Sequence, residues 1–331
     1  MSAECLLSVI VTAHDRREYI SDALGSVVSQ NPGVGDFDFV ALSNLERSTA
    51  VFVNSPLNLR WIHDPSPTVG ETIVRAAEMA WGEVLVFLDD DDVFEPGKLS
   101  RVQAAFRDRP EILYYHNCFS QFSGRCPDLG GGRSSEPSNS LKSPPRGAQH
   151  VFGDGDTARL LGFLARSNRE QNMSSTAIRK DVILRNRHLV RKIEGLQDTF
   201  LLFCALRGGG SVLFDDSKLT RVRRHSRNAS RTQADVEKRV RAWGIVANLI
   251  ETGFPPPIAT QYYSIRHSRA TIFERALGAP FSDKEVISAL GTVLRSASLS
   301  GARKTGYYSI LGCLALGSSS ATAILRPLLT R

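Results

Sequence analysis

The sequence predicts an α/β domain built on a mostly parallel sheet flanked by helices, followed by a helical C-terminal region. Three observations predict it. Short β-branched runs alternate with helix-spaced apolar residues through about residue 88. Each run ends in a polar turn, and one ends in four consecutive aspartates. Beyond about residue 231 the strand-like runs give way to helical spacing. Strands separated by helices make parallel neighbours, with ligands at their carboxyl ends.

Taken in order, Leu6–Val11 is a β-branched run that follows the acidic Glu4, so it reads as a first strand and not as a signal peptide. Apolar residues at helical spacing, Ile20, Leu24, Val27 and Val28, predict the first helix. Strands are expected at 37–42 (FDFVAL) and 59–63 (LRWIH). A helix over about 72–80 then leads through Trp81-Gly82 into a strand at 84–88 (VLVFL). From Ser123 to Gly147 glycine, serine and proline dominate, which reads as a long loop, either an exposed insertion or a lid over an acceptor. The expected organisation is therefore one domain over 1–231 that contains the 123–147 loop, and a helical region over 232–331. Residues 305–325 are uncharged, but three adjacent serines and two glycines dilute them, so a helix packed on its own domain is expected ahead of one lying on a membrane.

The chain has 331 residues, 42% of them hydrophobic and 23% charged, a composition that excludes a disordered protein or one built mainly of membrane spans. Its formal charge of +7 favours anionic partners without choosing among nucleotides, phosphorylated lipids, membrane surfaces and nucleic acid. The five scattered cysteines show no zinc-ligand spacing and suit a reducing, cytoplasmic setting.

The strongest local signal is VLVFLDDDDVFEPGKL, residues 84–99, in which an apolar strand runs into Asp89, Asp90, Asp91 and Asp92. Adjacent carboxylates repel one another and hold their protons more tightly unless a cation compensates. Hard oxygen ligands suit Mg²⁺ or Mn²⁺. An acidic turn capping the next helix is the simpler alternative for Asp92 and Glu95. Two enzyme classes place a DxD after such a strand: the haloacid dehalogenase-like phosphatases, on their first strand, and the GT-A glycosyltransferases, on a later one. Three strands precede it here.

Over residues 6–230 the chain resembles the family 2 glycosyltransferases, which have the GT-A fold. Four segments carry the resemblance: SVIVTAHDRREYISDALGSVVSQ, AWGEVLVFLDDDDVFEPGKL, GLQDTFLLFCALRGGG and RRHSRNAS. The resemblance implies that Thr12, His14 and Asp15 meet the nucleotide, with His14 where an aromatic ring often stacks on the base. It implies that Asp89 and Asp90 serve the nucleotide sugar, Asp89 facing ribose or metal, and that Asp91 ligates the metal. His225 falls where some relatives supply another metal or diphosphate contact, and Arg223 where a cation could face phosphate. Asp198 falls on the general base. Plainer roles remain open for several: a strand residue for Thr12, a helix cap for Asp198, a solvated histidine for His225.

The departures are specific. Where the family's second strand ends in a base-reading aspartate, this chain has Ser43 and Asn44, leaving Asn44 as the candidate. The arginine common before DxD is out of register by two positions at Arg75, and the acid before the base is Gln197. Ser174, Ser175 and Thr176 read as an ordinary polar strand. The implied activity is a metal-dependent, inverting transfer from a nucleotide-diphosphate sugar to a hydroxyl of a glycan or lipid-linked acceptor, with Mn²⁺ or Mg²⁺. The expected setting is the cytoplasm, with peripheral contact at the inner face of the cell membrane, and nucleic acid is not an expected partner. A non-catalytic GT-A-like module binding nucleotide sugars and a phosphatase are the alternatives.

Overall fold

A computed structural model describes residues 7–14, 17–30, 37–45, 59–124, 126, 147–156, 159–160, 163–164, 172–225, 241–242, 244–246, 248–249, 267–268, 271 and 282–295. Most of the expected 123–147 loop and the apolar 305–325 segment lie outside these residues. The chain divides into two compact units, one of residues 1–156, 168–193 and 197–225, the other of 157–167, 194–196 and 226–331.

In the first unit the four expected N-terminal strands form side by side: β1 (Leu7–Ala13), β2 (Asp38–Ser43), β3 (Leu59–His63) and β4 (Val84–Asp89). All are parallel, in the spatial order β3-β2-β1-β4. β1, β2 and β4 are buried along nearly their whole length, which is why they read as continuous apolar runs and not as alternating ones. Helix α1 (Ile20–Val28) lays Ala23, Leu24 and Val27 into a core with Leu7, Val9 and Val11 of β1. Helix α2 (Val69–Met79) begins three residues earlier than its apolar spacing indicates, because Thr68 caps it: the Thr68 hydroxyl accepts the Glu71 N–H at 3.2 Å.

At the amino ends of the parallel strands Asp38 fixes the register. Its carboxylate accepts the Ser8 hydroxyl at 2.8 Å, the Trp81 amide at 2.9 Å and Arg60 at 2.9 Å. A buried carboxylate with three donors is satisfied in one register and not in its neighbours.

The rest of the sheet is mixed. After β5 (Val93–Phe94) and α3 (Lys98–Asp108) come β6 (Ile112–Phe122), β7 (Gln149–Phe152), β8 (Thr176–Arg179) and the long β9 (Ser211–Arg223). The full order is β3-β2-β1-β4-β8-β6-β9-β5, with β7 on β9. β8 runs antiparallel between β4 and β6, while β6 and β9 are parallel. Short helices α4 (Lys180–Arg185) and α5 (Arg187–Val190) and the longer α6 (Gln197–Arg207) connect β8 to β9. This route carries the end of β9 back beside the acidic turn, where β5 pairs with it through Val93 and Arg221.

In the second unit the described helix α7 (Asp283–Arg295) buries Val286 and Ala289. A reciprocal cap starts it, with Ser282 N–H donating to Glu285 at 2.7 Å and Glu285 N–H to the Ser282 hydroxyl at 3.3 Å. No helix among the described residues is long and apolar enough to cross a membrane.

Candidate active site

Parallel alignment brings four strand ends to one edge. Thr12 lies beside Asp89, and the Thr12 hydroxyl donates to its carboxylate at 3.4 Å. The Asp90 amide donates to the Thr12 carbonyl at 3.2 Å, so the acidic turn starts fixed to β1. Asp90, Asp91 and Asp92 are buried and Asp89 is half-buried.

The turn is then gripped from two directions. From the segment before β8, the Ser174 hydroxyl accepts the Asp89 amide at 3.0 Å and donates to Asp92 at 2.6 Å. From β9, the Arg223 amide donates to the other Asp92 oxygen at 2.9 Å. Two residues on, His225 Nε2 lies 2.9 Å from Asp91 Oδ2. The two are 134 positions apart in the chain, and both side chains are about nine-tenths buried.

One carboxyl oxygen from each of Asp89, Asp91 and Asp92 lies within 4.8 Å of the other two. Burial, and then the charge of Asp91, push the Asp92 carboxyl up to about 7. Hydrogen bonds from Ser174 and the Arg223 amide, and the ammonium of Lys98, oppose that rise. Lys98 is itself fully buried, donating to the Ser174 carbonyl at 2.5 Å and the Thr220 hydroxyl at 2.9 Å. Burial holds its ammonium well below the usual lysine range, the charge of Asp92 opposing that fall. Both Asp92 oxygens are engaged by protein donors, and Asp91 Oδ2 is met by His225 Nε2. Such a hard oxygen set with one imidazole fits Mn²⁺ or Mg²⁺.

A second group forms at the ends of β2 and β3. Asp64, directly after β3, is fully buried and its amide donates to the Ser43 carbonyl at 2.8 Å. Its carboxylate accepts the Ser66 hydroxyl at 2.5 Å and the Thr72 hydroxyl at 2.6 Å, with Arg75 at 3.7 Å and His14 Nε2 at 3.9 Å. Burial would raise this carboxyl, but the Ser66 and Thr72 hydrogen bonds and the nearby His14 outweigh it and hold it below the usual range. Arg75, out of register by sequence, therefore sits against an acid that the sequence reading passed over. WIHDPSP repeats the strand-then-acid pattern of VFLDD and was the available signal.

The other expected residues fall as follows. His14 is half-exposed at the end of β1, and Asn44 is exposed just after β2. Asp15 lies outside the described residues. Asp198 is the second residue of α6, two positions past the place of a cap, and its carboxylate accepts the Thr199 amide at 2.7 Å. Leu196, just ahead of that helix, has a φ of 59°, a left-handed conformation that costs a branched residue free energy. Arg223 departs from its expected place facing phosphate. Its side chain is wholly buried, bonded to Asp22, to the Asp91 carbonyl and to Gly124, between the rings of Tyr19 and Phe122. A separate cavity of about 330 Å³ between α3 and β9, lined in part by Arg101, Arg109, Gln149 and Ser217, includes none of Asp89, Asp90, Asp91 and Asp92.

The comparisons with known proteins agree with this geometry. Residues 8–128 match the sequence model of Glycosyl transferase family 2. The chain is 27% identical over 115 residues to an uncharacterized glycosyltransferase of Nostoc sp., a stretch that spans 34% of this chain and 36% of that protein. Among solved structures, S. aureus TarS 1–349 superposes with a TM-score of 0.56 at 15% identity, covering 97% of this chain and 89% of that one. This is a GT-A fold with a family 2 segment. The mannosyltransferase PcManGT of Pyrobaculum calidifontis, solved with GDP-Man and Mn²⁺, gives a TM-score of 0.55 at 14% identity, over 96% of this chain and 84% of that one. TarS has also been solved with UDP-GlcNAc. The family 2 segment ends before Ser174, Asp198, Arg223 and His225; hydrogen bonds to the acidic turn bring Ser174, Arg223 and His225 to it, and Asp198 is bonded within its own helix turn.

Proposed function

We propose that this chain is a metal-dependent glycosyltransferase that moves a sugar from a nucleotide-diphosphate donor to an acceptor hydroxyl with inversion. The observation that carries the proposal is the meeting of Asp91 and His225 at 2.9 Å beside Asp89, where the parallel strands end. An acid and an imidazole so distant in sequence, buried together beside two further carboxylates at a strand edge, are the kind of cluster that marks a functional site. Solved GT-A proteins bind UDP-GlcNAc in one case and GDP-Man with Mn²⁺ in another, which supports a nucleotide-sugar donor here.

In this reading Asp91 and His225 would hold the divalent ion, and Asp89 would serve the ion or the ribose. Bound there, the ion would supply Lewis-acid stabilisation of the negative charge that develops on the departing diphosphate. Thr12 and His14 line the nucleotide side, and Asn44 reads the base, while the buried Asp64 holds Ser66 and Thr72 beside His14. Asp90 holds the acidic turn to β1. Asp198, in the first turn of α6 where the helix dipole favours a carboxylate, takes the proton from the acceptor hydroxyl. The acceptor oxygen forms a bond to the anomeric carbon as the bond to the diphosphate oxygen breaks. One displacement of this kind inverts that carbon. The acceptor is a glycan or a lipid-linked sugar, met in the cytoplasm or at the inner membrane surface.

The phosphatase alternative needs its acids after the first strand, and here they follow the fourth. The test is Asp198→Asn. It should retain Mn²⁺-dependent nucleotide binding and lose at least about a hundredfold in turnover, the scale of one acid-base group. Full turnover by this variant would remove Asp198 from the mechanism.

A further inference from the structure

The most densely bonded side chain near the acidic turn is not an acid. Arg223 spends its whole guanidinium inside the protein, where the side chain has no exposure. Nε donates to the Asp91 carbonyl at 2.8 Å, one terminal nitrogen to Asp22 Oδ2 at 2.8 Å, and the other to the Gly124 carbonyl. The plane lies 4.3 Å from the Tyr19 ring centre and 4.4 Å from that of Phe122. Tyr19 in turn sits 5.1 Å from the His225 ring. Asp22 is equally engaged, accepting the Cys126 amide at 3.1 Å as well as Arg223.

A buried ion pair of this kind is a poor source of stability, because apolar residues of the same volume often do as well. What a planar, five-donor fork supplies is direction. Arg223 touches residue 91 through its side chain and residue 92 through its backbone, while its near neighbour His225 meets the Asp91 carboxylate. Three contacts from one strand end therefore set where the Asp91 main chain lies, where its carboxylate points and how the imidazole faces it.

We propose that Arg223, held by Asp22 and packed against Tyr19, is a positioning residue for the divalent cation: it fixes the Asp91 carbonyl and so the Asp91–His225 pair. The proposal deepens the metal reading above and rests on it. Loss of the fork loosens the ligand pair without removing either ligand. Groups that orient metal ligands from behind cost 10–100-fold in metal affinity when removed, and that range is the expected effect.

The experiment uses the full chain. Mn²⁺ binding is read by the electron paramagnetic resonance signal of free Mn²⁺, first alone and then with UDP or GDP at fixed concentration. Four proteins are compared: the parent, Asp91→Ala, Arg223→Lys and the double variant Asp22→Leu with Arg223→Met. The double variant replaces the buried pair by apolar side chains and should melt near the parent, yet bind Mn²⁺ 10–100-fold more weakly. Arg223→Lys keeps a charge for Asp22 but not the fork, so it should fall in the same direction and decides the matter if the double variant does not fold. In both, nucleotide-dependent stabilisation should return when Mn²⁺ is raised by the same factor, which a merely loosened fold would not show. Parent-like Mn²⁺ affinity in a folded Arg223 variant, with Asp91→Ala still weakened, overturns the positioning role and leaves the metal reading intact. Mn²⁺ binding that is absent from the parent, or unchanged in Asp91→Ala, overturns both.

Discussion

Removing the hydroxyl of Ser174 should unfasten the acidic turn from the middle of the sheet. That oxygen is the shared partner of the Asp89 amide at 3.0 Å and of Asp92 at 2.6 Å, and Ser174 is fully buried. Ser174→Ala leaves an amide and a carboxylate oxygen buried with one partner fewer each. A hydrogen bond to an ionised group contributes about 1.5–3 kcal/mol and a neutral one about 1 kcal/mol, so the sum is roughly 2.5–4 kcal/mol. For a unit of this size that corresponds to a fall of about 4–15 °C in melting temperature. The assay is urea unfolding followed by intrinsic fluorescence at about pH 8, above the Asp92 value of about 7 so that the carboxylate is ionised, with Ser174→Thr, which keeps a hydroxyl, as the control. A loss below about 0.5 kcal/mol, the ordinary noise of a surface change, would refute the claim that this hydroxyl carries both bonds.

Three further outcomes follow from the same coordinates. His225→Ala should raise the Mn²⁺ concentration needed for nucleotide-dependent stabilisation by at least about tenfold, since even outer partners of metal ligands cost that much; an unchanged requirement would remove His225 from the cation site. Gly70→Ala should destabilise by about 1–3 kcal/mol through overpacking, because its new methyl would collide with the Val190 carbonyl and press on Ile193; a parent-like urea midpoint would show that α2 and α5 do not pack this closely. Asp215 is buried, which would raise its carboxyl, but hydrogen bonds from Arg101, Gln149 and Ser217 outweigh burial and hold it below the usual 3.8. Its contribution is therefore present above pH 3.8 and is lost as pH falls through the lower folded value. The stability gap between parent and Asp215→Asn should accordingly narrow below that pH, and a gap equally wide on both sides of it contradicts the shift.

The N-terminal half of the fold was legible because its signals are local. β1, β2 and β4 are nearly unbroken apolar runs buried on both faces, and the strand ending in VFLDDDD announces a charged edge without any knowledge of partners. The mixed half was not legible in the same way. β8 is only four residues long, and its place between β4 and β6 depends on pairing with strands some sixty to ninety positions away. Ser174 thus reads as an ordinary polar residue until that pairing sets it under Asp89. Arg223 illustrates the same limit from the opposite side. A cation in an arginine-rich run reads as a phosphate contact, and only its partner Asp22, 201 positions earlier, reveals that the charge is spent internally. Asp64 was the exception, a local strand-then-acid signal overshadowed by the longer acidic run after β4.

The most direct measurement is thermal stabilisation of the parent and of Asp91→Ala by UDP, GDP, TDP and their sugars, each with and without Mn²⁺. A ligand that binds only the folded chain raises its melting temperature by mass action. The account predicts that one nucleotide class stabilises the parent, that it does so only with Mn²⁺, and that Asp91→Ala abolishes the effect. Stabilisation by no nucleotide, or an equal stabilisation of Asp91→Ala, would contradict a metal-held nucleotide-sugar site at the end of β4.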